Sequence, residues 1–220
     1  MRYKLAVFDM DGTILNTLED LTDSLNAALR LSGYPQRTIE EVRNFVGNGI
    51  RLLIERGVPQ GTEITAIDKV HRDFMEYYQK HCADKTRPYD GIVELMQSLR
   101  QKGCKMAVVS NKADSAVKEL SDRYFPGIFD ISVGERQGIL KKPAPDSVNE
   151  VLKQLQVAKE EAVYIGDSDV DIATARNVKM DCISVVWGFR KEEFLREQGA
   201  VVFARTPEDI LQIIQNGMIK

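Results

Sequence analysis

Cysteine is scarce in this chain, and its few thiols lie far apart. The 220 residues include three cysteines, Cys82, Cys104 and Cys182, and no two of them have a Cys-x-x-Cys spacing. A disulfide framework or a paired-thiol redox motif would require more cysteines or closer ones. We therefore expect three reduced thiols that are at least partly buried.

Long apolar runs and a strong charge of either sign are also absent. The apolar run after the basic start at residues 1–4 is too short for the core of a signal peptide, and no run approaches the length of a membrane span. The formal charge is -3 and the basic residues are dispersed, so nucleic-acid binding is not expected. With 43% hydrophobic and 29% charged residues, the sequence predicts a cytoplasmic globular protein without a membrane partner.

Two aspartates directly follow a short apolar run near the start of the chain. The run Leu5-Ala6-Val7-Phe8 predicts a buried strand, and Asp9-Met10-Asp11-Gly12-Thr13 follows it. Alternate side chains of an extended chain point the same way, so the Asp9 and Asp11 carboxylates are expected to converge. Two like charges at one place call for a cation or a shared proton, unless the pair merely ends the strand in a solvated turn.

A calcium-binding EF-hand loop also begins with Asp-x-Asp, but this segment does not fit one. Such a loop needs glycine at its sixth position, glutamate at its twelfth and flanking helices. Counted from Asp9, these positions hold Ile14 and Asp20, and a strand precedes the loop. The choice between a solvated turn and another kind of site depends on the rest of the chain.

Residues 16–84 carry almost no strand signal. The pattern predicts four helices, at 18–31, 38–46, 48–56 and 62–82, and Thr38 with Glu41 forms a capping-box signature for the second. In the last helix, residues at helical spacing form one apolar face that starts at Ile64. His71 lies on that face and His81 near the helix end, so neither is expected to be catalytic.

From residue 85 onward, short apolar runs alternate with helical segments. This alternation predicts a parallel sheet covered by helices. The fold class is therefore α/β, a doubly wound parallel sheet formed by residues 1–15 and 85–220, with a helical domain inserted at 16–84. The predicted strands are Leu5–Phe8, Met106–Val109, Ile131–Val133, Ala162–Ile165, Ile183–Val186 and Val201–Phe203.

Reactive side chains follow three of these strands. A lysine in the segment between the predicted strands Ile131–Val133 and Ala162–Ile165 completes the set. Open parallel sheets bind ligands beyond the carboxyl ends of their strands, so these residues are expected to meet. Carboxylates, a hydroxyl, an amide and an ammonium together suit a phosphoryl group and Mg²⁺. The set comprises Asp9, Asp11, Gly12 and Thr13; Ser110, Asn111 and Lys112; Lys142, ahead of Pro143-Ala144-Pro145; and Gly166, Asp167, Ser168, Asp169 and Asp171.

The acids of this set can supply a complete hydrolytic mechanism. Asp9 and Asp167, with a backbone carbonyl of the first loop at Asp11, would be enough to hold Mg²⁺. An aspartate can attack phosphorus to give an aspartyl-phosphate, which splits one displacement into two steps. A second acid two residues later could protonate the departing alkoxide and then activate water.

The remaining residues of the set suit the phosphate itself. Ser110, Asn111 and backbone N–H groups beside Gly12 would hold the phosphate oxygens. Lys142 would offset the negative charge spread over those oxygens in the transition state. Each residue alone could be an ordinary turn, cap or surface residue; the joint pattern at four loops favours a phosphoryl-transfer site.

Four segments taken together resemble the haloacid dehalogenase superfamily, and within it the phosphoglycolate phosphatase-like branch. The resemblance implies that Asp9 is the nucleophile, Asp11 the general acid and base, and Ser110 a phosphate contact. It also implies that Lys142 contacts phosphate and that Asp9 and Asp167 bind Mg²⁺. Asp171 would be a supporting acid that does not bind the metal. The inserted helices would form a cap that closes over the site. The segments are Asp9-Met10-Asp11-Gly12-Thr13, Ser110-Asn111, Lys142 with Pro143-Ala144-Pro145, and Gly166-Asp167-Ser168-Asp169-Val170-Asp171.

The choice of substrate within the family depends on fewer residues. The dehalogenases lack an acid two residues after the nucleophile, so Asp11 argues against that activity. In the insertion, Gly47-Asn48-Gly49 and Arg56 are similar to the substrate-facing loop of phosphoglycolate phosphatases, although Asn16 stands where many relatives carry an acid. The resemblance therefore implies 2-phosphoglycolate as the leading substrate.

Other activities remain open on the same residues. A β-phosphoglucomutase-like mutase or a pyrophosphatase would use the same core. A phospho-accepting signalling domain is the non-enzyme alternative, and it is disfavoured because such domains are shorter and lack a helical insertion. The expected partner is a small phosphorylated metabolite, and the protein is expected to be a monomer or a homodimer.

Overall fold

The structure is a computed structural model that describes residues 1–217, and its chain divides into two compact units. One unit contains Met1–Leu15 and the chain from Pro88 onward, and the other contains Asn16–Arg87. The second boundary lies three residues later than the predicted one between 84 and 85. Helix α1 (Leu18–Leu31) explains the difference, since the Asp20 carboxylate accepts the backbone N–H groups of Lys85 and Thr86 at 3.0 and 2.8 Å.

A six-stranded sheet forms the first unit, which confirms the predicted α/β class. Its strands are β1 (Leu5–Phe8), β4 (Lys105–Ala113), β5 (Ile131–Glu135), β6 (Ala162–Gly166), β7 (Asp181–Val185) and β8 (Phe203–Ala204). They are arranged in the order β5-β4-β1-β6-β7-β8, and every neighbouring pair is parallel. Two further strands, β2 (Leu15–Asn16) and β3 (Arg87–Pro88), form a two-stranded sheet that the sequence did not predict, because two residues leave no periodic signal.

The helices of the inserted segment agree closely with the predicted ones. Those of the helical unit are α1, α2 (Ile39–Phe45), α3 (Ile50–Gly57) and α4 (Ile64–His81). Those of the α/β unit are α5 (Ile92–Gln101), α6 (Asp114–Tyr124), α7 (Asp146–Leu155), α8 (Asp169–Val178), α9 (Glu192–Glu197) and α10 (Pro207–Asn216), with a 3-10 turn at Lys159–Glu161. Among the described residues, no helix is long and apolar enough to cross a membrane.

Strand β1 lies at the centre of the sheet and is buried along its whole length. All four residues Leu5–Phe8 are fully inaccessible to solvent, as expected for an apolar run covered on both faces of a parallel sheet. Leu5 and Val7 pack into one core cluster with residues of β4 and β6, including Val109 and Tyr164. The apolar pattern of the first strand therefore fixes its place in the middle of the sheet.

The register of the three central strands aligns their carboxyl ends. Phe8, the last residue of β1, pairs with Val108 of β4 and with Ile165 of β6. The residues that follow these positions therefore leave the sheet at the same edge, where the backbone N–H of Asp9 donates to the Ile165 carbonyl at 2.9 Å.

The helical unit shows two local features that bear on the sequence predictions. Thr38 caps α2 and exchanges hydrogen bonds with Glu41, which confirms the predicted capping box. Ile64 was placed on the apolar face of α4 but is 68% exposed in the first turn of that helix, while the buried stripe consists of Val70, Phe74 and Tyr78. None of the three cysteines forms a disulfide; Cys82 and Cys104 are buried and Cys182 partly so, as predicted.

Candidate active site

Three carboxylates converge at the edge of the sheet where β1 and β6 end. Asp9 follows β1, Asp167 follows β6, and Asp171 lies in the first turn of α8. Each contributes an oxygen that lies within 4.8 Å of an oxygen of the other two, and all three residues are buried. This cluster brings together the predicted first and fourth segments, although they are far apart in the chain.

The Lys142 ammonium lies among the same carboxylates. Its Nζ atom is 2.9 Å from Asp9 Oδ1, 2.8 Å from Asp171 Oδ1 and 3.0 Å from the Tyr164 hydroxyl. Three acceptors thus match the three N–H bonds of the ammonium. Burial alone would lower the pKa of Lys142, but the Asp171 and Asp9 carboxylates raise it well above its ordinary value. Lys142 is therefore a fixed positive charge beside Asp9.

Asp9 uses one carboxylate oxygen for its contacts with the protein. The Met10 backbone N–H donates to Oδ1 at 2.7 Å, and Lys142 contacts the same oxygen. Burial raises the pKa of Asp9 to about 7, with a further contribution from the Asp171 carboxylate that Lys142 partly opposes. The arrangement leaves Oδ2 as the oxygen for a metal or for phosphorus.

Asp167 is held by donors from two different loops. Thr13 Oγ1 donates to Oδ1 at 3.2 Å, and the backbone N–H of Phe189 donates to Oδ2 at 2.7 Å. Burial raises the pKa of Asp167 to about 8, and the carboxylates of Asp171 and Asp9 add to the effect. The proximity of these negative charges favours a cation between them.

Asp171 differs from the other two because each of its oxygens has two donors. Lys142 and the Tyr164 hydroxyl contact Oδ1, while the Ser168 N–H and Oγ contact Oδ2 at 3.1 and 2.6 Å. Gly166 permits this packing, since a Cβ atom there would overlap the Asp171 side chain. Asp171 therefore orients Lys142 and the start of α8, which fits the supporting role implied by the resemblance.

Asp11 lies outside the carboxylate cluster and has its own lysine. Lys112 Nζ is 2.8 Å from Asp11 Oδ1 and 2.9 Å from Oδ2. The Lys112 side chain is only 1% exposed and that of Asp11 is 19% exposed. The sequence placed Lys112 at a strand end but assigned it no role, because nothing in a single chain shows which carboxylate a lysine will meet.

The donor set of the site fits Mg²⁺. Hard oxygen ligands from two carboxylates are typical of magnesium sites, and Asp9 and Asp167 offer them. Among the ionisable groups of the site named so far, four carboxylates (Asp9, Asp11, Asp167 and Asp171) face two ammonium groups (Lys112 and Lys142), so their formal sum is 2 − 4 = −2. A divalent cation would balance this charge.

The predicted phosphate contacts Ser110 and Asn111 are held by hydrogen bonds to the protein. Ser110 Oγ accepts the Lys112 N–H at 3.3 Å, and Asn111 Nδ2 donates to the Lys142 carbonyl at 3.0 Å. These residues were predicted to follow the strand, whereas β4 continues to Ala113 with an irregular register after Val109. The irregularity ends the regular ladder where these polar side chains begin.

Gly12 gives the first loop its shape. Its φ of +83° lies in the left-handed region, and a Cβ atom there would overlap the Asp167 carboxylate. Its N–H donates to the Leu15 carbonyl at 2.9 Å. If this N–H were to donate to phosphate, its hydrogen bond to the Leu15 carbonyl would have to break.

Comparison with known proteins assigns the family. Residues 6–185 match the model of the haloacid dehalogenase-like hydrolases. The chain belongs to this family. The match spans the four segments on which the resemblance was based, and it includes the helical insertion.

Three similar proteins illustrate the range of this hydrolase's relatives. The phosphoglycolate phosphatase of Aquifex aeolicus (strain VF5) is 28% identical, over 99% of this chain and 99% of its own. The N-acetylmuramic acid 6-phosphate phosphatase of Pseudomonas aeruginosa is 27% identical, over 99% and 97% respectively. A Lactobacillus delbrueckii crystal structure, provisionally assigned as a phosphoglycolate phosphatase, is 43% identical with a TM-score of 0.93, covering 97% of this chain and 99% of its own. The predictions of a phosphoglycolate phosphatase-like member and of a phosphoric monoester hydrolase are confirmed.

The loop after β7 contributes to the site of this hydrolase and was missed from the sequence. Trp187 Nε1 donates to the Thr13 carbonyl at 3.0 Å, and the next residues reach Asp167. A Cβ atom at Gly188 would overlap both the Asp167 side chain and the Gly12 carbonyl, and Phe189 donates its N–H to Asp167. The residues of the loop that reach the site, Trp187, Gly188 and Phe189, carry no acid, lysine or hydroxyl, so a search for reactive groups at strand ends does not find them.

Four residues of the helical unit were predicted to select substrate. Gly47, Asn48 and Gly49 lie in the turn between α2 and α3, and Arg56 lies in α3. Gly47 and Gly49 have φ values of +111° and +89° on either side of Asn48. Arg56 Nη1 donates to the Phe45 carbonyl at 2.7 Å, just before this turn. Arg56 therefore stabilises the loop that presents Asn48.

Proposed function

We propose that this hydrolase is a Mg²⁺-dependent phosphatase of small phosphate monoesters, with 2-phosphoglycolate as the leading substrate. The observation that carries the proposal is the different environment of two acids on one loop. Asp9 lies 2.9 Å from Lys142 within the carboxylate cluster, while Asp11 lies apart, with both oxygens near Lys112. One acid is thus suited to attack phosphorus and the other to exchange a proton.

In the first half of the reaction, the Asp9 carboxylate attacks the phosphorus of the monoester. The bond between phosphorus and the leaving oxygen breaks, and protonated Asp11 gives its proton to the departing alkoxide. The products are a free alcohol and an aspartyl-phosphate on Asp9. General acid assistance of this kind contributes roughly 10²- to 10⁴-fold.

In the second half, water attacks the phosphorus of the aspartyl-phosphate. Asp11, now a carboxylate, takes the proton of that water, and the bond between phosphorus and Asp9 breaks. Inorganic phosphate leaves, and Asp9 returns to its carboxylate form. Because Asp11 ends protonated, it is ready for the next substrate.

The surrounding groups bind and orient the phosphate. Lys142 offsets the charge on the transferring oxygens, and Ser110 and Asn111 contact them from the end of β4. Mg²⁺ held by Asp9 and Asp167, with a backbone carbonyl at Asp11, would supply a divalent positive charge to the same oxygens.

The identity of the leaving alcohol rests on the relatives and on the helical unit. The names of two similar enzymes specify phosphoglycolate and N-acetylmuramic acid 6-phosphate, so the second compound is the alternative substrate. We propose that the helical unit selects between such compounds through Gly47, Asn48, Gly49 and Arg56. The expected location in the cytoplasm and the monomeric or homodimeric state also stay predictions.

A steady-state panel with Mg²⁺ tests this function. It offers 2-phosphoglycolate, N-acetylmuramic acid 6-phosphate, pyrophosphate, sugar phosphates and nucleotides to the wild type, to Asp9→Asn and to Asp122→Asn. The last variant removes the same charge from an exposed position on α6 and is expected to retain full activity. We expect 2-phosphoglycolate to give the highest kcat/KM and Asp9→Asn to be inactive. A different preferred monoester would overturn only the substrate.

The same panel separates the alternatives. Interconversion of sugar phosphate isomers without release of inorganic phosphate would indicate a mutase. Preferred release of phosphate from pyrophosphate would indicate a pyrophosphatase. A stable phosphoprotein that never turns over would indicate a phospho-accepting signalling or binding protein.

A further inference from the structure

Lys112 is a buried ionisable group of the site to which the mechanism above assigns no task. Its side chain is 1% exposed, and its Nζ atom lies 2.8 and 2.9 Å from the two oxygens of Asp11. A lysine is almost never buried so completely unless a partner compensates its charge. The Asp11 carboxylate therefore compensates the buried charge of Lys112.

The position of Lys112 in the chain follows from the central strands. β4 pairs with β1 in parallel register up to Val108 opposite Phe8, and the ladder becomes irregular after Val109. Lys112 lies beyond that point and its own N–H donates to Ser110 Oγ at 3.3 Å. The irregular end of β4 thus brings an ammonium to the first loop, which follows β1 and carries Asp9 and Asp11.

The contact has a geometric consequence for Asp11. Alternation along an extended chain would aim the Asp11 carboxylate at the same place as that of Asp9. Asp11 instead lies outside the group formed by Asp9, Asp167 and Asp171 among residues 1–217, and both of its oxygens face Lys112. Contact with both oxygens restrains rotation of the carboxylate more strongly than contact with one.

We propose that Lys112 is the positioning residue of Asp11, which keeps this carboxylate apart from the metal-binding acids and directed at the oxygen that gains or loses a proton. This role rests on the proposed function, because it assumes that Asp11 transfers the proton. Lys112 acts through Asp11 and takes no part in the bond changes at phosphorus. Its loss should slow turnover without weakening substrate binding.

A double-mutant cycle tests the role. The variants are Lys112→Met, Asp11→Asn and the double variant, measured for kcat and KM on the best monoester of the panel. We expect Lys112→Met to lower kcat by about 10- to 100-fold, within the contribution of general acid-base catalysis, with KM changed less than about threefold. In the Asp11→Asn background the same substitution should change kcat less than about threefold, because its effect requires Asp11.

Two control variants separate positioning from general destabilisation. Lys118→Met also removes a lysine from an aspartate pair, since Lys118 Nζ lies 2.6 Å from Asp114, but that pair is on α6 outside the site. It should leave kcat unchanged. Lys112→Gln, which retains a hydrogen-bond donor, replaces Lys112→Met if the latter does not fold. Equal losses from Lys112→Met in both backgrounds, or a rise in KM with kcat unchanged, would overturn the role.

A crystal structure of the Lys112→Met or Lys112→Gln protein gives a readout that does not depend on activity. We expect the Asp11 side chain to adopt another rotamer and to approach the Asp9 and Asp167 carboxylates. An unmoved Asp11 would overturn the role. If the wild type hydrolyses no monoester, the proposed function fails, and the Asp11 rotamer in this variant still decides whether Lys112 positions it.

Discussion

The Lys142 ammonium lies 2.9 Å from the Asp9 carboxylate and is 3% exposed. It also contacts Asp171 and Tyr164, so the nucleophile belongs to a buried network. A buried charge network is stable only when all of its members are present. The same lysine therefore has two effects: it stabilises the fold at this edge of the sheet, and it opposes the rise in the pKa of Asp9 that burial causes, which favours the ionised form of this carboxyl.

Replacing Lys142 should impair both stability and activity. Lys142→Met leaves Asp9 and Asp171 buried without their counter-charge, and breaking such a pair typically costs about 3–5 kcal/mol. We expect a loss of that size in urea unfolding and a fall in kcat of about 100- to 1000-fold. Lys118→Met, which removes the exposed lysine from its pair with the half-buried Asp114, should change the free energy of unfolding by less than about 1 kcal/mol. Comparable losses in the two variants would contradict the buried network.

Mg²⁺ should stabilise the protein more at high pH than at low pH. Burial and neighbouring carboxylates raise the pKa of Asp9 from 3.8 to about 7 and that of Asp167 from 3.8 to about 8. The metal-free folded state therefore favours the protonated carboxyls, and the stability that they contribute below about pH 4 is lost as pH rises through about 7 to 8. Mg²⁺ binds the ionised form, so protons compete with it.

The measurement is the increase in Tm caused by Mg²⁺ at about pH 8.5 and at about pH 5.5. We expect the larger increase at the higher pH. The Asp167→Asn protein, which lacks one ligand, should show little increase at either pH. Equal increases in the wild type at both pH values would contradict the assignment of these carboxylates to the metal.

The loop after β7 should affect metal binding through Asp167. Gly188→Ala adds a methyl group where it would overlap the Asp167 side chain, so the ligand must move. Groups that orient a metal ligand typically change affinity by about 10- to 100-fold when altered, and we expect Gly188→Ala to weaken Mg²⁺ binding by such a factor in calorimetric titration.

Gly138→Ala is the matched control for this loop. Gly138 has a φ of +82°, so alanine is strained there, but no atom lies within 4 Å of the added methyl group. This variant should lose stability and retain its Mg²⁺ affinity. Unchanged Mg²⁺ affinity in Gly188→Ala would show that the loop does not support Asp167.

Much of the fold could be predicted because the local signals are strong. The first strand Leu5–Phe8 and the helix Leu18–Leu31 occur at the predicted residues. Their apolar periodicity is long or their boundaries are marked by polar and glycine residues. The strands β2 and β3 were missed since two-residue strands exist only through their pairing partner.

The site could be predicted where its residues lie at strand ends, and not where contacts depend on tertiary geometry. Asp9 and Asp167 were found because they directly follow apolar runs. Lys112 was seen in the same way, but its pairing with Asp11 depends on the position of β4 beside β1 and on the irregular end of β4. Tyr164 reads as an ordinary buried strand residue, and only the folded chain brings its hydroxyl to Lys142.

The most direct test of the central claim is the site of phosphorylation. Protein mixed briefly with 2-phosphoglycolate and Mg²⁺ is quenched in acid, digested and analysed by mass spectrometry. Asp11→Asn is incubated for longer, because both the formation and the hydrolysis of its intermediate are slowed. We expect the phosphoryl group on Asp9 in both, and no phosphoprotein in Asp9→Asn. A phosphoryl group on another residue, or turnover by Asp9→Asn at the wild-type rate, would contradict the account.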